Sequence, residues 1–171
     1  ISRWFLPVAG DLRQGGNYEL TGNASGSILE CVAPADGAAH YRVTWEFGGA
    51  VSWLRVRLTS EGEQRTRVEL EHTAPLAAVP PEMWDTYGPG ATGVGWDQAL
   101  LGLALHLGVQ DASVAPEDAE AWVVSEEGQA FTRGAADRWA AAHVADGADE
   151  AVAARAADAT FGFYTGQPPG Q

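Results

Sequence analysis

The first half of the chain contains five segments in which apolar and polar side chains alternate, and this pattern restricts the fold more than any other feature. Alternation is clearest in 40–47, whose apolar positions are Tyr41, Val43, Trp45 and Phe47. The same pattern recurs in 15–22, 26–33, 51–59 and 66–73. Because successive side chains of a strand point to opposite faces, each segment predicts a strand with one apolar face. Short links that contain glycine predict antiparallel pairing of consecutive strands, as in a meander.

An antiparallel sheet of this kind needs another layer to cover its apolar face. The first long helical pattern after the strands is 94–108, whose apolar stripe includes Trp96, Leu100, Leu103 and Leu107. We expect this helix to lie across the sheet. Segments 113–125, 125–147 and 148–166 predict three further helices, the second of which is capped by Ser125.

Three glycines just before helix 94–108 have the spacing of a dinucleotide-binding loop. Gly88, Gly90 and Gly93 match G-x-G-x-x-G, but this spacing has chemical meaning only between a buried parallel strand and a helix. The preceding segment, 80–87, begins with two prolines and predicts a helical turn instead. We therefore reject a dinucleotide site and expect the glycines to let helix 94–108 approach the sheet closely.

The chain is strongly acidic, and this excludes several classes of partner. Its 171 residues carry a formal charge of −13, and all ten basic residues are arginines. Such a charge repels phosphate backbones and anionic lipid surfaces, so we expect neither nucleic acid nor membrane as a partner. No apolar run is long enough for a membrane span and no secretory leader is evident, which predicts a cytoplasmic protein.

Cysteine and histidine usage gives no sign of a metal or a catalytic centre. Cys31 is the single cysteine, which excludes an intrachain disulfide, and the four histidines have unrelated spacings. Neither a Ser-His-Asp order nor an H-E-x-x-H motif is present. We expect no metal, no cofactor and no catalytic residue, with His72 as the one weak catalytic candidate.

Four phrases, in order, resemble a known family. They are "SRWFLPVAGDLRQGGNYEL", "VTWEFGGAVSWLRVRLT", "TRVELEHTA" and "YGPGATGVGWDQALLGLALHL". Residues 1–108 thereby resemble the SRPBCC superfamily of START-like, helix-grip proteins, in the branch named after the activator of Hsp90 ATPase homologue and its actinobacterial form. The resemblance implies an α+β fold in which an antiparallel sheet curves around a long helix. It implies that 109–171 is an acidic, helical C-terminal extension.

Family members usually have a strand and a helix before the "SRWFLP" phrase, and this chain begins inside it. We therefore expect that the first strand and helix of the fold are missing from the sequence. An open sheet edge would then need cover, and a homodimer is one way to supply it.

The resemblance also implies a cavity between sheet and helix. The side chains expected to line it are Tyr41, Trp45, His72, Trp84, Tyr87, Trp96, Leu100 and Leu103. Aromatic walls with few polar groups are typical of sites for apolar or aromatic small molecules. The same residues would equally serve as ordinary core packing, and His72 as a structural histidine with a hydrogen-bond partner.

Three functions are compatible with this pattern. The first is binding of a hydrophobic small molecule in the cavity. The second is an enzyme of the cyclase, dehydratase or hydrolase type, with His72 as general acid or base and Tyr41 or Tyr87 as hydrogen-bond donor. The third is a co-chaperone-like interaction with another protein, although a family name alone does not transfer function.

Overall fold

A computed structural model of the chain describes residues 1–108 and 118–167. These residues form two units. The first, here the sheet unit, comprises Ile1–Ser2 and Leu6–Val79, and the second, the helical unit, comprises Arg3–Phe5 and the described residues from Pro80 onward. The division of the chain at 108/109, which rests on the family resemblance, stays a prediction.

The sheet unit is a six-stranded antiparallel meander. Its strands are β1 (Val8–Gly10), β2 (Asn17–Leu20), β3 (Ser25–Ala35), β4 (Ala38–Phe47), β5 (Ala50–Ser60) and β6 (Thr66–Thr73). They lie in the sheet in the order in which they occur in the sequence, and each pairs antiparallel with the next. This confirms the meander and all five predicted strands. Sequence reasoning missed β1, because three residues are too short to show an alternation.

The strand register separates the side chains of the sheet into two faces. Val43 lies directly opposite Leu54, which lies directly opposite His72, so these side chains share one face. That inner face holds the buried apolar residues of β3, β4 and β5, which are Ile28, Val43, Leu54 and Val56. Phe47, at the end of β4, is an exception to the predicted apolar face, since it is 58% exposed.

One buried tyrosine ties β2 to β4 across the strand between them. The Tyr18 side chain is buried, and its hydroxyl donates to the backbone carbonyl of Thr44 at 2.7 Å. Burial, as the main cause, raises the pKa of Tyr18 to about 12. The hydroxyl therefore stays protonated and keeps its role as a donor over the whole physiological range of pH.

The helical unit contains five α-helices within the part of the chain that the structure describes. They are α1 (Pro81–Tyr87), α2 (Gly90–His106), α3 (Ala119–Val123), α4 (Glu126–Ala145) and α5 (Glu150–Thr165). Helix α2 contains most of the predicted helix 94–108 and begins four residues earlier. The predicted helix 113–125 is seen only as α3, because 109–117 lie outside the described residues. The expected cap is confirmed, since Ser125 accepts from the backbone N–H of Gly128 at 3.1 Å.

Small side chains allow α2, α4 and α5 to pack closely. Val94 of α2 is fully buried in a cluster with Ala135 and Ala136 of α4 and Ala157 of α5. At the edge of this cluster the Trp139 indole N–H donates to Asp97 at 2.9 Å. Asp97 is not placed to complement the dipole at the start of its helix. Because α2 begins at Gly90, Asp97 lies beyond the first turn and instead satisfies a half-buried indole.

The glycine motif connects two helices. Gly88 follows α1 and Gly90 opens α2, so the glycine loop is preceded by a helix and not by a strand. These residues therefore lack the order of strand, glycine loop and helix that a dinucleotide site requires. The glycines do permit close packing, but of a different element than expected. A Cβ on Gly93 would overlap the Trp139 indole of α4. The close approach that this glycine allows is therefore between α2 and α4.

We predict that Gly93→Ala lowers the free energy of unfolding by about 1–3 kcal/mol, because the new methyl group must displace the Trp139 ring. Gly134→Ala is the matched control. Gly134 lies inside α4, and a Cβ there would meet nothing within 4 Å, so the same substitution should stabilise by about 0.5–1 kcal/mol. Urea denaturation of both variants tests the pair, and equal effects would contradict the packing described here.

Candidate functional site

Three of the residues predicted to bind a ligand lie together on the inner face of the sheet. On β4, Tyr41 lies two positions before Val43 and Trp45 lies two positions after it. Val43 is directly opposite Leu54 of β5, and Leu54 is directly opposite His72 of β6. All three side chains are half-buried. The structure thus places a phenol, an indole and an imidazole on one largely apolar surface.

Ser52 joins two of these residues, and sequence reasoning missed it. Its hydroxyl lies 2.8 Å from Nε2 of His72 and also donates to the backbone carbonyl of Trp45 at 3.1 Å. The rings of Trp45 and His72 meet edge to face, with centroids 6.0 Å apart. The sequence does contain a signal for the contact with Trp45, because a two-residue turn at Gly48–Gly49 places Ser52 directly opposite Trp45.

Burial keeps the polar groups of this face uncharged. Desolvation lowers the pKa of His72 from its ordinary 6.5, and desolvation raises the pKa of Tyr41 above its ordinary 10.0. Both side chains are therefore neutral near pH 7. A surface of aromatic rings with neutral hydrogen-bonding groups favours an uncharged or weakly polar ligand.

The other predicted site residues belong to the helical unit. The Trp84 ring is 46% exposed and meets the His143 ring edge to face at 5.5 Å. Tyr87 packs against Phe163 of α5 with ring centroids 5.6 Å apart, and Trp96 lies 6.2 Å from the Phe5 ring.

Two leucines of α2 complete the predicted set. Leu103 is half-buried, whereas Leu100 is 37% exposed and is not the buried stripe residue that the helical pattern indicated. That any of these five residues of the helical unit shares a ligand site with the sheet residues stays a prediction.

Within residues 1–108 and 118–167, no group of histidine, cysteine and acidic side chains could hold a metal ion. In the same residues, no helix is both long and apolar enough to cross a bilayer. Cys31 is exposed and forms no disulfide.

The chain is similar to CalU16 from Micromonospora echinospora in two solved structures of that protein. The crystal structure is 32% identical, with a TM-score of 0.58, and the match covers 82% of this chain and 70% of that one. The solution NMR structure is 32% identical, with a TM-score of 0.62, covering 85% and 74%. No family model and no curated protein matches the sequence. The likeness spans most of both chains and agrees with a helix-grip fold.

We predict that His72 makes stability depend on pH. Its pKa in the folded chain lies below 6.5, so at mildly acidic pH the unfolded chain binds more protons than the folded one. The free energy of unfolding should therefore fall as the pH drops from neutral through 6.5 towards the folded pKa. His72→Gln should remove this component. His106→Gln, at an exposed histidine, is the control and should keep it.

Denaturation of the three proteins between pH 5 and pH 8, roughly the range in which histidine titrates, measures the effect. A parallel pH dependence of the wild type and His72→Gln would contradict it.

Proposed function

The chain belongs to the same family as CalU16, and from that premise we propose that it binds a small apolar or aromatic molecule on the inner face of its sheet. We place the family within the SRPBCC superfamily, in the branch named after the activator of Hsp90 ATPase homologue. The phrases of residues 1–108 support this placement. The ligand would lie against Tyr41 and Trp45, near His72.

The observation that carries the proposal is the hydroxyl of Tyr41. It lies on a half-buried apolar face, and burial raises its pKa, yet among the described residues it has no hydrogen-bond partner. The Tyr41 hydroxyl is not one of the fully buried polar atoms that lack a partner, so it is accessible and can donate a hydrogen bond to a ligand. A ligand with a carbonyl or hydroxyl group beside a flat ring would accept this hydrogen bond while its ring packs on Trp45.

A second candidate function is catalysis by a cyclase, dehydratase or hydrolase. The observation in its favour is the contact of 2.8 Å between Ser52 and His72, together with the lowered pKa of the ring. An imidazole that is neutral at pH 7 and held in one orientation is suited to act as a general base. Under this alternative His72 would take a proton from a ligand that Tyr41 and Trp45 position.

We predict that Trp45→Leu and Tyr41→Phe weaken binding of naphthol, a neutral probe with one ring system and one hydroxyl. Loss of the indole contact should reduce the affinity about tenfold, and loss of the phenol hydrogen bond several-fold. Trp53→Leu is the matched control, because Trp53 lies on the neighbouring strand but on the opposite face of the sheet. Isothermal titration calorimetry measures the affinities of the wild type and the three variants.

Equal losses in Trp45→Leu and Trp53→Leu would contradict a site on the inner face.

His72→Gln separates binding from catalysis once a natural ligand has been recovered by native mass spectrometry of protein from its own host. Conversion of that ligand by the wild type, lost in His72→Gln while binding persists, would establish the enzyme. Binding without conversion by either protein would establish the binding function alone.

A further inference from the structure

The outer face of the sheet, opposite Tyr41 and Trp45, carries an open groove across β4, β5 and β6. It encloses about 170 Å³ and is lined by Arg42, Trp53, Arg55, Glu71 and Thr73. Sites for drug-sized molecules measure about 300–1,000 Å³, so this groove has room for a much smaller molecule, of the size of a single substituted ring.

Arginines lie side by side in this groove. Arg42 of β4 is directly opposite Arg55 of β5, which in turn is directly opposite Glu71 of β6. Like charges at directly opposed positions destabilise a sheet unless other groups compensate them. Whether the charges of Arg42 and Arg55 are compensated therefore depends on which of them has a carboxylate as an ion-pair partner.

Two of the nearby arginines have acidic partners. The Nε of Arg42 lies 2.9 Å from Oε1 of Glu30, close enough for an ion pair, although the N–H direction does not meet the requirement of a hydrogen bond. Glu71 is engaged by Arg57, at 3.2 Å. Both carboxylates are thus held by arginines other than Arg55.

Of the two arginines that line the groove, Arg55 is the one without an acidic partner among the described residues. Its Nε is buried and has no hydrogen-bond partner, and among the described residues no acidic side chain lies within ion-pair distance of its guanidinium group. A guanidinium group presents a planar fork of N–H donors that matches a carboxylate in a two-pronged hydrogen bond. Arg55 therefore offers the groove a cationic end.

Trp53 and Thr73 form the neighbouring part of the groove. They are directly opposite each other on β5 and β6, and the Trp53 ring is 37% exposed. An exposed indole two positions along the same strand face from Arg55 offers a flat apolar surface beside the positive charge. Glu71 lines the same groove, and its carboxylate disfavours a ligand with a second negative charge.

From these contacts we propose that the outer groove binds a small planar monocarboxylate, with its carboxylate on Arg55 and its ring against Trp53. Arg42 and Thr73 also line the groove. The site is separate from the inner-face site of the proposed function, because the two lie on opposite faces of the sheet. The proposal therefore does not depend on that function.

Benzoate is the probe for this site, and benzamide, which has the same shape without the charge, is its control. Titration of the wild type, followed by heteronuclear NMR, should give saturable benzoate shifts centred on the backbone amides of Trp53 and Thr73. Benzamide should give none. This measurement needs no variant, so it remains decisive if a substitution prevents folding.

Arg55→Met should weaken benzoate binding by about tenfold or more, because it removes the charge-assisted hydrogen bonds. The matched control is Arg67→Met, which removes one positive charge from the same outer face at a position outside the groove. It should leave the affinity for benzoate within about twofold, since exposed charges beyond the groove are screened by salt. His72→Gln, on the inner face, should not alter it.

The results that would overturn the proposal are equally specific. Benzoate shifts that do not saturate, or that benzamide reproduces, would show that the groove does not recognise a carboxylate. Equal weakening by Arg55→Met and Arg67→Met would show a general electrostatic effect in place of a site. Shifts centred on Tyr41 and Trp45 would assign benzoate to the inner face and would reject the proposal of a carboxylate site in the outer groove.

Discussion

The turn at Gly48 and Gly49 fixes the register of β4 against β5, and the chemistry of both faces of the sheet depends on it. Both glycines have positive φ values, 58° and 82°, as a two-residue hairpin turn requires. Phe47 consequently pairs with Ala50, and every later pair follows. A slip by one residue would exchange the two faces of β5, which would turn Ser52 away from Trp45 and His72.

The same register gives the two faces opposite electrostatic character. On the inner face, desolvation keeps His72 and Tyr41 neutral among buried aliphatic side chains. On the outer face, arginines and glutamates remain half-exposed and form ion pairs, such as the one between Arg57 and Glu71. A single sheet can therefore present a neutral aromatic surface and a charged groove without either disturbing the other, since their side chains point in opposite directions.

The helical unit depends on a different constraint, which is the close approach of its helices. Alanines of α4 and α5 surround Val94. Gly93 has no side chain, and the Trp139 ring occupies the space that a Cβ there would fill. The Asp97 carboxylate accepts a hydrogen bond from the Trp139 indole N–H, which this packing partly removes from water. The small alanine side chains of this unit permit its helices to pack closely.

The sequence by itself determined the strands, their antiparallel order and the division of their side chains between two faces. These properties follow from local alternation and turn chemistry, which act over a few residues. It also determined that Tyr41, Trp45 and His72 share a face, and it identified most of α2, α4 and α5. Only the tertiary structure decided which side chains those elements bring into contact. The contacts of Ser52 with His72 and of Asp97 with Trp139, and the lack of an acidic partner for Arg55 among the described residues, all depend on distances between separate segments of the chain. No local pattern encodes such distances.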